Sequence, residues 1–292
     1  MTVIVGVHPQ NPSLSILARR KTQTEALRDQ GIDFFIHSAG AQTLPLVRLG
    51  VIQLAGTGAT PPLLASDQGL DIAVFGMSGS RKEKGGLVVH RDSPINSLQD
   101  LVGKNIALMP ISWHQQFLAA ELDYAGLHWH DVNAVELLPA TAGDALVAGL
   151  LDAMVTTDPL YSTLASKIPL RVLASPGVHF SNRSVYWGTH EVLEQRPEVV
   201  KALYEALVIS DKATEDDPFE AARLLDGVNG NSAEQWLPAL QSRPWGITPP
   251  DDSFLSEQQL HADLFAKYGL LSGGRDISDT VTNRFAVSSS VN

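Results

Sequence analysis

Short hydrophobic runs alternate with amphipathic stretches along the first third of the chain. The predicted strands are residues 2–7, 32–36, 51–54 and 71–75, and the predicted helices between them are residues 13–28 and 41–49. The first strand is a continuous β-branched run, which suits a strand that is buried on both faces of a parallel sheet. This alternation of strands and helices therefore predicts a parallel sheet with helices on both faces.

The alternation restarts after residue 85 and predicts a second sheet. Its strands are residues 86–89, 105–108, 133–137, 153–156, 171–174 and 184–187, with helices at residues 113–124 and 142–149. From Arg196 onward the pattern is helical. No low-complexity linker separates the two halves. Strands near residues 86–89 and 184–188 would therefore carry the chain from the first lobe to the second and back again. Two crossover segments between two α/β lobes predict a hinged cleft.

We assign residues 1–87 and 187–292 to lobe 1, which would combine the N-terminal sheet with the C-terminal helices. Residues 88–186 would form lobe 2. The length of 292 residues suits two α/β units of ordinary size.

The charge balance narrows the choice of partners. The formal net charge is −11, and 44% of the residues are hydrophobic against 18% charged, so a folded core is expected and disorder is not. A negative protein lacks long-range attraction to phosphates, which argues against nucleic acid or an acidic membrane as partner. A small anionic ligand held by local dipoles remains compatible with this charge.

The chain contains no cysteine, so it has no disulfide, zinc–thiolate site, iron–sulfur cluster or cysteine nucleophile. It also has no uninterrupted apolar run of about 18 residues, the length that a membrane-spanning helix needs. A strand follows Met1 directly, and we expect either that an export signal has been removed or that the protein is cytoplasmic. We expect a monomer.

Loops that follow strands are where an open α/β sheet binds its ligand. The segment GTGATPP at residues 56–62 is the most informative of them, because Thr60 is a good N-cap and Pro61 fits a first helical turn. Ser112, before Trp113, suggests the same arrangement in the other lobe. Two helix N-termini that face each other across a cleft could clamp an oxyanion, although each signal alone fits a merely well-capped helix.

Other patterns are weaker. The glycines at residues 56–61 lack the third glycine of a dinucleotide fingerprint, and residues 76–80 lack the last glycine of a nucleophile elbow. Residues 128–131 (HWHD) have metal-ligand types but lie in a turn away from the predicted cleft. We therefore expect no cofactor, no metal site and no catalytic residue. Asp158 could accept a hydrogen bond from a ligand or belong to a turn, and Arg183 could pair with an anion or lie on the surface.

Six segments in order resemble the sulfonate/taurine/nitrate class of substrate-binding proteins of ABC importers, the aliphatic sulfonate-binding protein family. Residues 56–62 are similar to its TG-x-[ST]-P-P loop, and the other five segments are RDSPI with DLVGKNIA (91–95 and 100–107), LDYAGL (122–127), TDP (157–159), RPEVVKAL (196–203) and DTVTNRF (279–285). The resemblance covers about the full chain. It implies a two-lobed periplasmic binding protein fold of type II, α/β with two crossover segments, and a periplasmic location.

The resemblance further implies a small anionic ligand, often an alkyl sulfonate, held by N–H groups and hydroxyls. The candidate ligand-binding residues are Gln10, Asn11, Ser38, Gly40, Gly58, Ala59, Thr60, Ser78, Ser112, Trp113, His114, Asp158 and Arg183. Thr157 stands where the family often has tryptophan, and Trp113 with His114 replaces smaller residues. These departures put in question the part of the ligand beyond its anionic head.

The sequence therefore predicts the substrate-binding component of an ABC importer, which captures an alkanesulfonate- or taurine-like organosulfonate and presents it to the membrane subunits. The alternative is a cytoplasmic enzyme on the same scaffold that acts on a sulfonate-, sulfinate-like or aromatic molecule without a cysteine nucleophile, with His8, His37 or His114 as acid or base. A third hypothesis, a ligand-sensing module of a regulator, lacks any DNA-binding or signalling segment.

Overall fold

The protein contains two five-stranded sheets. The structure is a computed structural model that describes residues 2–273 and 277–285. The first sheet contains β1 (Val3–Val7), β2 (Ile32–Ile36), β3 (Leu54–Thr57), β4 (Ile72–Met77) and β10 (Val185–Thr189), in the order β2-β1-β3-β10-β4. The second contains β5 (Gly85–His90), β6 (Asn105–Leu108), β7 (Asn133–Glu136), β8 (Ala153–Thr157) and β9 (Leu170–Ala174), in the order β7-β6-β8-β5-β9. We call each sheet, with the helices packed on it, the first and the second lobe.

Both sheets are mixed, so the expectation of parallel sheets is wrong at one strand in each. β10 runs antiparallel to β3 and β4, and β5 runs antiparallel to β8 and β9. Each of these strands enters its sheet from the other lobe beside the carboxyl end of a parallel strand, since Gly85 pairs with Thr157 and Val185 with Thr57. They must therefore run in the reverse direction. The strand predicted at residues 184–187 thus belongs to the first sheet, not to the second.

Two crossovers connect the lobes, at residues 78–84 and 175–184. They precede the strands near residues 86–89 and 184–188 that were predicted to carry the chain between the lobes. They lie side by side, because Ser78 N donates to Ser184 O at 2.8 Å and Arg81 N donates to Asn182 O at 3.0 Å. The predicted lobe limits at 87/88 and 186/187 fall within β5 and β10. The exact division of residues between lobes stays a prediction.

Twelve α-helices lie in the described part of the chain: α1 (Pro12–Leu17), α2 (Lys21–Asp29), α3 (Thr43–Arg48), α4 (Thr60–Asp67), α5 (Trp113–Tyr124), α6 (Pro139–Val147), α7 (Leu160–Ala165), α8 (His190–Gln195), α9 (Pro197–Asp216), α10 (Pro218–Leu224), α11 (Ala233–Gln241) and α12 (Asp252–Lys267). The single helix predicted at residues 13–28 is two helices. The break lies at Arg20, whose backbone is extended and whose guanidinium contacts Glu220 at 2.9 Å and Ser210 at 3.2 Å. Contacts with distant helices override the local helical pattern there.

Helix α12 packs against both lobes. Phe254 near its start belongs to the apolar core around Trp187 of the first lobe, whereas Phe265 near its end packs with Phe117 in the core of the second. Both phenylalanines are 1% exposed, and burial of such a side chain contributes about 1.5–3 kcal/mol. The helix therefore bridges the lobes beside the crossovers. No helix among the described residues is long and apolar enough to cross a membrane.

Candidate functional site

A narrow cavity lies between the lobes at the ends of the parallel strands. About 350 Å³ there is not filled by protein atoms, and because this figure includes open solvent, the cavity itself is small. Five predicted residues line it: Gln10, Gly40, Gly58, Ser112 and Trp113. The lining also includes His8, Thr57, Arg81, Ile111 and Ser184, which were not among the predicted ligand-binding residues. Both lobes and both crossovers thus contribute to one cavity.

The start of α4 reaches this cavity from the first lobe. Its N-cap is Ala59, not the predicted Thr60, because the backbone of Ala59 is already helical and no side chain caps this helix end. Thr60 is the first helical residue, fully buried, and its Oγ1 has no hydrogen-bond partner among the described residues. Pro61 and Pro62 have no N–H to offer. The free donors here are therefore few, chiefly the N–H groups of Ala59 and Thr60.

The start of α5 reaches the same cavity from the second lobe. Ser112 is its N-cap, as predicted, because Ser112 Oγ accepts from His114 N at 3.2 Å. The two helix starts touch: a Cβ built on Gly58 would lie 3.0 Å from Trp113 Cβ. The indole of Trp113 lies parallel to the Phe180 ring at 6.5 Å. The helix starts therefore converge, with an aromatic wall on one side.

A loop after β1 forms another wall of the cavity. His8 is 3% exposed, with Nε2 at 2.9 Å from Gly56 O and Nδ1 at 3.0 Å from Gln10 Oε1. Gln10 Oε1 also accepts from Gly40 N at 2.9 Å, which connects this loop to the one after β2. Burial, followed by the neighbouring His37, lowers the pKa of His8 to about 4. The His8 imidazole is therefore neutral at neutral pH.

Asn11 caps α1 behind this loop, since Asn11 Oδ1 accepts from Leu14 N at 3.1 Å. Its Nδ2 is buried and has no hydrogen-bond partner among the described residues. A Cβ on Gly56 would lie 2.5 Å from this atom, so glycine is required there. Buried donors without partners are rare in native proteins and often mark a place where something else binds.

Arg81 supplies a positive charge to the cavity from the first crossover. It is 7% exposed, and its Nε donates to Glu83 Oε1 at 2.7 Å. Its Nη1 lies 3.4 Å from both Ser78 Oγ and Ser184 Oγ. Burial opposes ionisation of Glu83, but the nearby Arg81 and Arg243 outweigh it, so the pKa of this carboxyl lies below its usual value.

A second guanidinium stands behind the first. Arg243 Nη2 lies 3.4 Å from Ser184 Oγ, and burial, followed by the charge of Arg81, lowers the pKa of Arg243 to about 10. Burial raises the pKa of the Asp211 carboxyl in the same cluster to about 6. A carboxyl with a pKa of about 6 is mostly ionised at neutral pH, so Glu83 and Asp211 together balance the two arginines, and Arg81 is the cation that lines the cavity.

The other predicted ligand-binding residues do not line this cavity. Asn11 and Thr60 are buried beside it, and Ala59 lines a different cavity. Ser38 is exposed and hydrogen-bonds Gln42, whereas Ser78 connects the crossovers by accepting from Ser184 N at 3.0 Å. His114 is buried, and its Nδ1 accepts from Met109 N at 3.2 Å. Asp158 is engaged at the start of α7, where its Oδ1 accepts from both N and Oγ of Ser162.

Arg183 lies on the opposite side of the crossovers, where it forms two hydrogen bonds of 2.8 Å to Glu257. It lines a larger cavity of about 940 Å³, partly open to solvent, together with Ala59 and α12. Successive crossover residues thus face opposite sides, since Ser80 and Arg183 face this rear cavity while Arg81 and Ser184 face the cleft.

Among the described residues, no group of three or more histidine, aspartate or glutamate side chains could hold a metal ion. In the HWHD segment, Trp129 is buried, whereas Asp131 Oδ2 accepts from His128 N at 2.7 Å. That segment is a capped turn.

The sequence reasoning missed Arg81, Ser184 and the contribution of His8. Arg81 begins the charged run Arg81-Lys82-Glu83-Lys84, which has the composition of a solvated loop. The one signal of an Arg81–Glu83 pair is the spacing of two residues. In an extended chain, Arg81 and Glu83 point to one side and the two lysines to the other.

The chain matches the model of the family described as NMT1/THI5 like over residues 27–221. It is 28% identical over 244 residues to a protein of Escherichia coli (strain K12) named "Putative aliphatic sulfonates-binding protein", covering 83% of this chain and 76% of that protein. Over 245 residues it is 26% identical to the "Taurine-binding periplasmic protein" of the same organism, covering 80% of this chain and 72% of that one.

Among solved structures, the chain superposes with a TM-score of 0.87 and 26% identity on the alkanesulfonate-binding protein SsuA from Xanthomonas axonopodis pv. citri bound to MOPS, covering 96% of this chain and 98% of that one. The periplasmic aliphatic sulphonate binding protein SsuA from Escherichia coli gives 0.84 with 24% identity, covering 96% and 92%. The predicted fold class, a two-lobed α/β periplasmic binding protein fold, is confirmed.

Proposed function

We propose that this chain, which belongs to the NMT1/THI5-like family, is the substrate-binding component of an ABC importer and captures a small organosulfonate between its lobes. The names of its relatives support this class of ligand. The observation in the molecule that carries the proposal is that two helix starts and the Arg81 guanidinium converge on one cavity.

The residues present suit a sulfonate head better than a neutral ligand. A sulfonate stays ionised at physiological pH, so it requires donors and positive charge rather than a proton acceptor. The cavity lining offers Arg81 and the Ser184 hydroxyl, and the open start of α4 adjoins it through Gly58 and Pro61. Glu83, the carboxylate next to it, is already held by Arg81.

Helix termini alone cannot supply the free energy that micromolar binding requires, so we expect Arg81 to contribute to it. Micromolar binding requires about 8 kcal/mol, whereas a helix terminus contributes about 0.3–1 kcal/mol. Pro61 and Pro62 reduce the donors of α4 further. Charged hydrogen bonds of about 1.5–3 kcal/mol each, from Arg81 and the free N–H groups, must therefore supply most of the head-group affinity.

Ligand transfer would follow the usual logic of a two-lobed protein. A ligand that contacts both lobes binds the closed form more tightly and shifts the population toward it. The closed form would then present a joint surface to the importer's membrane subunits. A periplasmic location, as in the name of the taurine-binding relative, belongs to this proposal.

A cytoplasmic enzyme finds less support in the geometry. The absence of cysteine removes one nucleophile. Of the histidines considered as acid or base, His37 is engaged with Ala39 O at 2.9 Å, and burial lowers the pKa of His114 to about 3. Neither has a carboxylate partner among the described residues.

Thermal-shift and calorimetric titrations test the proposal. We expect taurine, ethanesulfonate or a longer alkanesulfonate to raise the melting temperature and to bind with micromolar affinity, and Arg81→Gln to lose most of that affinity. Nitrate, sulfate and a neutral sugar serve as comparison ligands. If no sulfonate binds while a sugar or a cation does, the assignment is wrong.

A further inference from the structure

The imidazole of His8 faces a hydrogen-bond acceptor at each ring nitrogen. Gly56 O, at 2.9 Å from Nε2, is a backbone carbonyl and can only accept. Gln10 Oε1, at 3.0 Å from Nδ1, is fixed as the oxygen of its amide because it also accepts from Gly40 N at 2.9 Å. Turning the amide over would bring its amino group against that N–H.

A neutral imidazole cannot satisfy this arrangement, because it carries one N–H and can donate to only one of the two oxygens. The imidazolium carries two and would donate to both. His8 is 3% exposed, so water cannot take the place of the missing donor at the second contact. The local geometry therefore suits the protonated ring.

The surroundings of His8 oppose that protonation, chiefly through burial. Burial and His37, whose ring centre lies 5.4 Å away, act against it and place the pKa of His8 at about 4. His37 Nδ1 faces Ala39 O, and its buried Nε2 has no hydrogen-bond partner in the described part of the chain. Arg81 also lines this cavity, and its charge is paired with Glu83.

The other ionisable groups nearby do not supply the missing negative charge. Glu83 is paired with Arg81 at 2.7 Å, and Asp211 lies behind Arg243. From the second lobe, His114 faces Met109 N with its unprotonated Nδ1 at 3.2 Å. An anion inside the cavity would therefore be the first group whose charge compensates an imidazolium at position 8.

We propose that His8 takes up a proton when an organosulfonate enters the cavity, and that the imidazolium then holds Gln10 and the Gly56 carbonyl in their binding positions. This inference rests on the proposed function and adds that binding is coupled to protonation. Both ring nitrogens are used by Gln10 and Gly56, so His8 is a positioning residue that acts through its charge and its neighbours.

The sign of the coupling follows from linkage. Between the pKa of His8 in the free protein and its higher value in the complex, the complex holds more protons than the free protein does. The association constant therefore falls as the pH rises through that window, by up to about tenfold per pH unit. Because a sulfonate does not titrate there, the proton must reside on the protein.

Calorimetric titration with ethanesulfonate at pH 5, 6, 7 and 8, in two buffers of different ionisation enthalpy, counts the protons taken up. We expect net uptake at the acidic end, and loss of that uptake in His8→Gln. The matched control is His261→Gln, another histidine that is 3% exposed but lies in the rear cavity, and Asp211→Asn tests the nearby carboxyl. Both controls should retain the uptake.

Histidine NMR of the unaltered protein gives a readout that does not depend on the folding of a variant. We expect the midpoint of the His8 ring titration to rise by at least about one pH unit when ethanesulfonate is bound. Sulfonate binding without proton uptake, or uptake that survives in a folded His8→Gln protein, overturns the inference while the proposed function stands. Absence of sulfonate binding at every pH overturns both.

Discussion

The starts of α4 and α5 touch each other but satisfy their backbone in opposite ways. At α5, Ser112 Oγ accepts from His114 N and lies 2.7 Å from Met109 O, to which it donates. Gln115 Oε1 accepts from Ile111 N at 2.7 Å, which ties down the preceding residue, although its φ of 51° is unusual for a β-branched side chain. This helix start is completed by its own side chains.

At α4 the same groups are left open. No side chain caps it, two prolines follow, and the Thr60 hydroxyl is buried without a partner among the described residues. A helix that caps itself gains stability, whereas one that leaves donors open gains the ability to bind. We therefore expect α5 to supply a fixed wall of the site and α4 to supply open donors. The similar sequence signals at Thr60 and Ser112 did not reveal this difference.

Separating the two helix starts should have the largest effect. A Cβ at Gly58 would lie 3.0 Å from Trp113 Cβ, and the larger side chain of Gly58→Val would force the starts apart. Overpacking costs about 1–3 kcal/mol, and here the cost would fall on the closed arrangement of the lobes. We therefore expect calorimetric titration to show a loss of sulfonate affinity of roughly tenfold to a hundredfold. Gly79→Ala is the control, because its nearest neighbour would lie at 3.8 Å. Unchanged affinity in Gly58→Val would show that the convergence does not matter for binding.

Acid should weaken the start of α5 selectively, since α4 has no titratable group at its start. Burial lowers the pKa of His114 to about 3, and its Nδ1 accepts from Met109 N only while unprotonated. The unfolded chain binds a proton below pH 6.5 and the folded site does not, so stability falls as the pH drops from 6.5 toward 3. The slope is about 1.4 kcal/mol per pH unit for this histidine.

The variant His114→Asn should remove about one proton from that pH dependence, because its oxygen can accept from Met109 N without titrating. Urea unfolding between pH 4 and 7 measures it, with the partly exposed His90 replaced by glutamine as the control. A slope that is the same in His114→Asn and in the unaltered protein would contradict the assignment of this proton.

Removing the cap of α5 should lower the stability of the protein and leave its sulfonate affinity nearly unchanged. Ser112→Ala loses the acceptor for His114 N and the donor to Met109 O, which predicts a decrease of about 1 kcal/mol in the free energy of unfolding. Sulfonate affinity should stay within about threefold, since the wall remains in place. A large loss of affinity at unchanged stability would instead make Ser112 a ligand-binding residue.

Much of the fold was predictable because buried strands leave continuous apolar runs and loops leave prolines and glycines. Strand direction was not, because β5 and β10 have the same apolar pattern whichever way they run. The break between α1 and α2 was also hidden, since its cause, the contact of Arg20 with Glu220, spans the chain. The hydropathy pattern indicates which residues are buried. It indicates neither the direction of a strand nor contacts with residues that are distant in the sequence.

The candidate site was predictable where chemistry is local and unpredictable where it depends on burial. Gln10, Gly58 and Trp113 follow strands and reach the cavity, as loop position suggests. Arg81 is different, because its role depends on Glu83 and on the neighbouring crossover, which together bury a charge that the sequence places in a hydrophilic loop. Recognising it requires the pairing of residues 78–84 with residues 175–184.

The smallest expected effect concerns the open end of α4. Thr60→Val removes a fully buried hydroxyl that has no hydrogen-bond partner among the described residues, so the free energy of unfolding should be unchanged or higher by up to about 1 kcal/mol. Thr60 is next to Pro61, which lines the cavity although Thr60 itself does not. We expect the ligand to supply the missing partner, so sulfonate affinity should fall a few-fold. Thr43→Val is a matched control: Thr43 begins α3, is equally buried and also lacks a partner for its Oγ1. Equal affinities in the two variants would mean that the open end of α4 does not meet the ligand through Thr60.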